Sequence, residues 1–148
     1  MIAAIVFAPT MEDACSMRVL IADDSPVIVE RLIEVVGKIR GIERLDQADT
    51  VPTASDAVRR LRPDVVILDM QMPGGSGLDV LKIIREADIA CTVIVLTNFA
   101  YPQYRRKCLQ GGAQFFLDKS TEFEKVSELL HSLGSGTSTG TGLDRPLC

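Results

Sequence analysis

Short apolar runs that stop on carboxylates constrain this chain more than any other feature. Residues 18–22 (Arg-Val-Leu-Ile-Ala) are followed at once by Asp23 and Asp24, and Val65–Leu68 is followed in the same way by Asp69. Unbroken aliphatic runs of this length are typical of strands that are buried on both faces of a parallel sheet. Because the carboxyl ends of parallel strands meet at one edge, these carboxylates are predicted to lie close together.

Helical patterns separate the apolar runs. Ser25 and Pro26 are typical of a helix start, and apolar residues then recur at helical spacing as far as Gly37. The run Thr92–Thr97 carries no charge and is predicted to be a central strand. The predicted strands are residues 18–22, 41–48, 65–69, 92–97 and 114–117, and the predicted helices are residues 26–37, 54–61, 78–86, 102–110 and 121–133. Five βα units predict an α/β fold with a doubly wound, five-stranded parallel sheet and five helices.

Composition excludes several classes of protein. The chain has 148 residues, of which 47% are hydrophobic and 24% charged, and its net charge is −4. These values predict one soluble domain, and an acidic chain without a basic stripe is not expected to bind nucleic acid directly. Four widely spaced cysteines and one histidine, His131, disfavour a zinc site, a disulfide framework and a histidine-dependent triad.

The two ends differ in composition from the middle of the chain. The apolar N-terminal stretch is too short to span a bilayer and lacks the positive charge of a signal peptide. No membrane insertion is therefore expected, and a cytoplasmic location with reduced thiols is predicted. Residues 1–16 are predicted to be a disordered extension, residues 17–133 the folded domain, and residues 134–148 a flexible tail rich in glycine, serine and threonine.

The polar residues at the strand ends form one chemical set. The first strand supplies Asp23 and Asp24, the third Asp69, the fourth Thr97 and the fifth Lys119. Carboxylates this close cannot all stay ionised cheaply unless a cation lies among them, and oxygen ligands with room for water suit Mg²⁺. A carboxylate can also act as a nucleophile and form an acyl phosphate, whose oxygens an ammonium and a hydroxyl can hold. The set predicts a Mg²⁺-dependent phosphorylation site.

Over residues 18–133 the chain resembles the receiver domain of response regulators in two-component signalling, in its stand-alone, chemotaxis-regulator-like form. The matching residues are the Asp23-Asp24 doublet, the run 69–73 (Asp-Met-Gln-Met-Pro) with Gly77 eight residues after its aspartate, Thr97, and the Asp118-Lys119 pair. The resemblance implies a flavodoxin-like fold. It also implies that Mg²⁺ is held by Asp23, Asp24, Asp69 and the backbone carbonyl of Gln71.

The same resemblance implies the roles of the other site residues. Asp69 is the expected phosphoacceptor, and Lys119 is expected to pair with the phosphoryl group. Thr97 and Phe116 are the two expected switch positions. Phe115 and Phe116 are adjacent on a strand and must face opposite ways, so only one of them can serve as the switch.

The resemblance further implies a signalling protein rather than an enzyme. A histidine kinase or a phosphotransfer protein is the expected phosphoryl donor, and the domain's own phosphoryl transfer and hydrolysis are the only expected catalysis. Since no DNA-binding or enzymatic output follows Leu133, the signal is expected to pass to a downstream protein. The expected contact face is formed by the fourth helix, the fifth strand and the last helix, residues 101–111, 114–118 and 121–133.

Three departures from the family pattern stand out. Ser120 follows Lys119 where the family usually has proline, so a cis peptide bond is disfavoured there. Phe116 lacks the hydroxyl of the commoner tyrosine, so no hydrogen bond rewards its inward position. Gln71 and Phe99 occupy positions that tune how water reaches the phosphoryl group, and the aromatic Phe99 is expected to shield it.

Other interpretations remain open at this point. Asp23 or Asp24 could simply cap the first helix. An aspartyl-phosphate phosphatase of the haloacid-dehalogenase type shares the topology, but it needs a second aspartate two residues past the nucleophile, where this chain has Gln71. A flavodoxin-like flavin carrier is a more distant alternative, because the acidic loop after the first strand would repel a flavin phosphate.

Overall fold

The computed structural model describes residues 4–6 and 17–134. The elements are, in chain order, β1 Ala4–Val6, β2 Met17–Ala22, α1 Pro26–Gly37, β3 Ile42–Ala48, α2 Val51–Leu61, β4 Val65–Leu68, β5 Gln71–Met72, β6 Gly75–Ser76, α3 Gly77–Glu86, β7 Thr92–Thr97, α4 Pro102–Gln110, β8 Phe115–Asp118 and α5 Lys125–Gly134. Among these helices, none has both the length and the apolar composition needed to cross a membrane.

The main sheet has the strand order β1-β3-β2-β4-β7-β8 in the described part of the chain. Within this sheet the parallel pairs are β3 with β2, β2 with β4, β4 with β7, and β7 with β8. The predicted five-stranded parallel sheet with five helices is therefore confirmed, and β4 and β7 are buried along their whole length, as their apolar sequences predicted. The strand order reverses at β2, which lies between β3 and β4, and ligands bind at such a reversal point in open α/β sheets.

Alternating side chains of the strands feed two separate cores. In β4, Val66 and Leu68 pack in the core beneath α2, α3 and α4, whereas Val65 and Ile67 pack in the core beneath α1 and α5. Because the side-chain period of a strand is two, a strand covered on both faces must be apolar at every position. This requirement explains why β4 reads as an unbroken aliphatic run.

An additional strand differs from the prediction for the N-terminal extension. Ala4–Val6 pairs antiparallel with β3, with Ala4 opposite Asp46 and Val6 opposite Arg44, so these three residues are not disordered. The physical reason is that β3 would otherwise be an edge strand with unpaired backbone groups, which an extended segment can satisfy. The rest of that extension, residues 1–3 and 7–16, and the predicted tail beyond residue 134 lie outside the described residues.

The helix boundaries differ from the sequence prediction by more than one residue at two places. Helix α2 begins at Val51 rather than at residue 54, because Thr50 and Thr53 form a reciprocal capping pair around Pro52, which suits the first turn. Helix α5 begins at Lys125 rather than at residue 121. Before it, the backbone amide of Glu122 donates to the carbonyl of Asp118 at 2.8 Å, so the chain turns before it becomes helical.

Candidate functional site

The sheet ladder continues one residue past several strands and thereby fixes the backbone of the site residues. The amide of Asp23 donates to the carbonyl of Ala48 at 3.0 Å, and the amide of Asp69 donates to the carbonyl of Ala22 at 2.9 Å. On the other side of the sheet, the amide of Lys119 donates to the carbonyl of Thr97 at 2.9 Å. The residues that the sequence placed at one edge are therefore held there by β-type hydrogen bonds.

Three carboxylates converge at this edge. Asp23, Asp24 and Asp69 each place one oxygen within 4.8 Å of the others, with Asp23 and Asp69 buried and Asp24 exposed. Magnesium–oxygen bonds of about 2.1 Å put opposite ligands about 4.2 Å apart, so three oxygens at this spacing fit one small divalent cation. The exposed position of Asp24 leaves one side of the group open to water, which Mg²⁺ usually retains. The donor set fits Mg²⁺.

Lys119 is the cation that the protein itself supplies. Its Nζ lies 2.7 Å from Oδ2 of Asp23 and 3.3 Å from Oδ2 of Asp69, and the residue is only 7% exposed. A buried ammonium that bridges two buried carboxylates offsets part of their repulsion. The structure thus brings Lys119 to the carboxylate group, as the sequence predicted from its place after the fifth parallel strand.

The pKa of Asp69 is raised from its ordinary value of 3.8 to about 6. Burial is the main cause, and the negative charge of Asp23 adds to it. Lys119 and the backbone amide of Gln71 act in the opposite direction and lower the pKa. Burial disfavours the ionised form of this carboxyl group. A further positive charge beside it would stabilise that ionised form and lower the pKa.

Asp23 does not act as the helix cap. Ser25 is the N-cap of α1, and its hydroxyl accepts a hydrogen bond from the amide of Ile28 at 3.4 Å. One oxygen of Asp23 accepts from the amide of Ser25 at 2.8 Å while the other contacts Lys119. The capping interpretation of the doublet therefore fails for Asp23, whose carboxylate is aimed into the site and is oriented by the loop.

Gly77 is required by the close approach of two backbone segments. A Cβ at this position would lie 2.6 Å from the carbonyl oxygen of Asp69, closer than real atoms come. The amide of Gly77 donates to the carbonyl of Met70 at 2.8 Å. The glycine that the sequence comparison noted thus lets the start of α3 lie directly against the residue that carries the central carboxylate.

The two predicted switch residues lie on neighbouring strands, Thr97 on β7 opposite Asp118 and Phe116 on β8 opposite Val95. Thr97 is fully buried, and its Oγ1 accepts a hydrogen bond from the amide of Phe99 at 3.0 Å, which leaves its own hydroxyl proton free to be donated. Phe116 is buried in the core beneath α4, whereas Phe115 packs on the opposite face. Phe116 is therefore the aromatic side chain on the α4 side, and it points inward here.

The remaining predicted residues lie around the carboxylates. Gln71 is exposed and pairs with Ser76 in the small hairpin formed by β5 and β6. Phe99 is 36% exposed in the loop that follows β7. All peptide bonds of the described residues are trans, including the one that joins Lys119 to Ser120.

One part of the site was missed by the sequence analysis. A cleft of about 240 Å³ opens beside the carboxylate doublet, and its lining includes Gln47, Asp49 and Val29. Asp49 follows β3 as Asp23 follows β2, so the rule that found the other strand-end carboxylates could have found this one. The weak apolar character of the second predicted strand hid the signal.

Fold and site together define a receiver-type phosphoacceptor domain, and comparison with known proteins identifies the family. The family model described as the response regulator receiver domain matches residues 19–131. The chain belongs to this family.

Similar proteins include the positive alginate biosynthesis regulatory protein of Pseudomonas aeruginosa, which is 35% identical over 115 residues, covering 77% of this chain and 46% of that protein. The transcriptional regulatory protein DesR of Bacillus subtilis is 29% identical over 120 residues, 81% of this chain and 59% of that protein. A DNA-binding response regulator of the LuxR family from Staphylococcus aureus superimposes with a TM-score of 0.71 at 26% identity, over 80% of this chain and 98% of that one. The chain thus spans about half the length of the two regulatory proteins, 46% of the alginate regulator and 59% of DesR.

Proposed function

We propose that Asp69 accepts a phosphoryl group from a histidine kinase or a phosphotransfer protein. The observation that carries this proposal is the contact of Lys119 with two carboxylates of a three-carboxylate group at the reversal point of the sheet. An ammonium and a divalent cation on either side of a carboxylate are what in-line phosphoryl transfer to that carboxylate requires. Membership of the receiver family supports the same reaction class.

Transfer from a phosphohistidine proceeds by attack of an Asp69 carboxylate oxygen on phosphorus. The new P–O bond forms as the P–N bond breaks, and the bonding electrons remain on the imidazole nitrogen, which can take up a proton from water. Lys119, already 3.3 Å from Asp69, stays beside the transferred group and offsets its negative charge. The Thr97 hydroxyl, with its proton free, is the donor for a phosphoryl oxygen.

The Mg²⁺ that the donor set fits is assigned to Asp23, Asp24, Asp69 and the backbone carbonyl of Gln71. When bound, this ion neutralises carboxylate and phosphoryl charge and orients one phosphoryl oxygen. The residues of the chain prepare that site. The amide of Ser25 orients Asp23, and the exposure of Asp24 keeps the site open to the phosphoryl donor.

The output that we propose is a change in the surface formed by α4, β8 and α5, read by a partner protein. Thr97 and Phe116 connect the carboxylate site with this surface. The hydroxyl of Thr97 lies at the end of β7 beside the site, and Phe116 packs beneath α4. The net charge of −4 favours a protein rather than nucleic acid as the partner of this domain. Hydrolysis of external phosphoesters is disfavoured, because the amide of Gln71 cannot shuttle a proton.

Phosphorylation of the intact protein tests the assignment directly. With Mg²⁺ and acetyl phosphate, wild type should gain the mass of one phosphoryl group, and Asp69→Asn should gain none. Asp56→Asn is the matched control and should still gain one phosphoryl group, because Asp56 pairs with Arg60 at the surface of α2 and lies outside the three-carboxylate group. A phosphoryl group at full stoichiometry on Asp69→Asn would overturn the assignment.

A further inference from the structure

Few side-chain contacts hold helix α4 to the rest of the domain. Cys108 is its one buried residue, at 0% exposure, while most of its other side chains are exposed. Tyr101, the residue that precedes the helix, makes no side-chain capping hydrogen bond. A helix in water owes most of its stability to packing of an apolar face. A single buried side chain is therefore the main anchor of α4.

That anchor contacts the residue next to the proposed phosphoacceptor. The Sγ of Cys108 lies 3.1 Å from the Sδ of Met70, as a thiol that donates to a thioether. Met70 is 4% exposed, and it joins Asp69 to Gln71. The anchor of α4 thus rests on the segment that carries both the central carboxylate and a proposed metal-ligating carbonyl.

The space below the end of α4 allows the helix to move. A cavity of about 210 Å³ lies there, lined on one side by Gly111 and Gly112 at the end of the helix and on the other by Leu81, Ile84 and Val93. Two glycines contribute no side chains to fill that space. Apart from Cys108, only the half-buried Tyr104 of α4 packs against this core, so a local opening of the helix breaks few apolar contacts. Few such contacts are the condition for a segment of low local stability.

We propose that the Met70–Cys108 contact is a latch through which the state of the Asp69 segment controls the opening of α4. In the arrangement seen here the latch is closed and holds α4 against the core. A phosphoryl group on Asp69, with a cation at the Gln71 carbonyl, repositions the segment that carries Met70, weakens the sulfur contact and lets α4 open more often. A bound group biases a two-state element only through contacts that differ between its states, and this contact is one of them. The inference rests on the proposed phosphorylation of Asp69.

Alkylation of Cys108 reports the opening of α4. Its thiol is inaccessible in the closed state, and burial raises its pKa to about 11, so N-ethylmaleimide reacts with it only when the helix opens. Cys91 lines the cavity below the end of α4 and is partly exposed, so its alkylation is followed separately and does not serve as the reference. Peptide mass spectrometry of the full chain measures the rate at each cysteine separately.

The deciding variant is Met70→Leu, a nearly isosteric change that removes the sulfur acceptor. Without phosphoryl mimic, it should raise the alkylation rate at Cys108 by about two- to tenfold, the effect of one lost intramolecular hydrogen bond. In wild type, Mg²⁺ with beryllofluoride should raise the Cys108 rate by a similar factor, and in Met70→Leu this additional rise should shrink. Met72→Leu is the matched control: it makes the same substitution two residues further on, at a side chain buried in the same core.

Each result decides between the alternatives. A Cys108 rate in Met70→Leu that equals the wild-type rate overturns the latch, as does an equal rise in Met72→Leu, which would indicate general loosening of the core. If wild type gains a phosphoryl group from acetyl phosphate but its Cys108 rate does not respond to beryllofluoride, the latch is wrong and the phosphoacceptor assignment stands. If no phosphoryl group is gained, the proposed function itself fails.

Discussion

The carboxylate edge and helix α4 are neighbouring regions of the same domain, but they are built in opposite ways. At the edge, the backbones of Asp23, Asp69 and Lys119 each donate a hydrogen bond into a neighbouring strand, and their side chains are almost fully buried. Helix α4 has one buried side chain and no side-chain cap. The chemistry is therefore preorganised, whereas the segment above it is weakly attached.

The difference between the carboxylate edge and helix α4 follows from the role proposed for each. A site for phosphoryl transfer needs its groups held in place before the reaction, because reorganisation at the moment of reaction is costly. A segment that responds to phosphorylation must instead have two arrangements separated by a small free energy, and such segments come from the low-stability part of a fold. The effects of substitutions at the carboxylate edge and in α4 should accordingly differ in size and in kind.

Among substitutions at the carboxylate edge, the largest effect on stability is expected at Lys119. Lys119→Gln leaves two buried carboxylates without their ammonium, and in metal-free protein at pH 7.5 it should lower the free energy of unfolding by about 2–4 kcal/mol. Lys125→Gln is the matched control, because Lys125 pairs with Glu122 at the surface and should cost less than about 0.5 kcal/mol. Urea denaturation measures both, and equal losses would show that the site is not preorganised by Lys119.

A glycine pair tests the close approach behind the site. Gly77→Ala forces a Cβ against the carbonyl of Asp69, so it should cost about 1–3 kcal/mol and slow phosphorylation from acetyl phosphate. At Gly37 an added Cβ meets nothing within 4 Å, so Gly37→Ala should be neutral or stabilise by up to about 1 kcal/mol. Thermal melts and phosphorylation rates of the two variants should diverge; similar behaviour would contradict the predicted clash.

Because the pKa of Asp69 is raised, the substitution Asp69→Asn is predicted to stabilise the protein by an amount that depends on pH. Since the folded protein binds the Asp69 proton more tightly than the unfolded chain does, stability is lost as pH rises from about 4 through about 6. In metal-free protein, Asp69→Asn should therefore raise the free energy of unfolding by about 1–3 kcal/mol at pH 7.5 and change it little at pH 4. A gain of the same size at both pH values would mean that the charge is not its cause.

The smallest effect is expected on α4. Leu109 is 40% exposed, so Leu109→Ala should change the free energy of unfolding by less than about 0.5 kcal/mol. Leu130 in α5 is fully buried, and Leu130→Ala should cost about 2–5 kcal/mol. If Leu109→Ala lowers the free energy of unfolding as much as Leu130→Ala does, α4 is packed far more firmly than its exposure indicates. The contrast between α4 and the carboxylate edge is then lost.

Sequence patterns predicted most of the fold, because parallel strands that are covered on both faces have unbroken aliphatic sequences. The bounds of β7 and α4 were predicted to the residue. The start of α2 was missed because Thr50 and Thr53 cap each other around Pro52, three residues before the apolar period of the helix begins. Strand β1 was missed because three residues carry no period, and only the unpaired edge of β3 gives them a partner.

The sequence by itself determined which residues end each strand, and hence that Asp23, Asp24, Asp69, Thr97 and Lys119 share one edge. Residue order along a strand is local information, and the parallel topology does the rest. Only the tertiary structure decided that Lys119 bridges two carboxylates, that burial raises the pKa of Asp69, and that Cys108 rests on Met70. Those facts depend on distances between segments remote in the chain, and such distances are set by how two cores pack around one sheet.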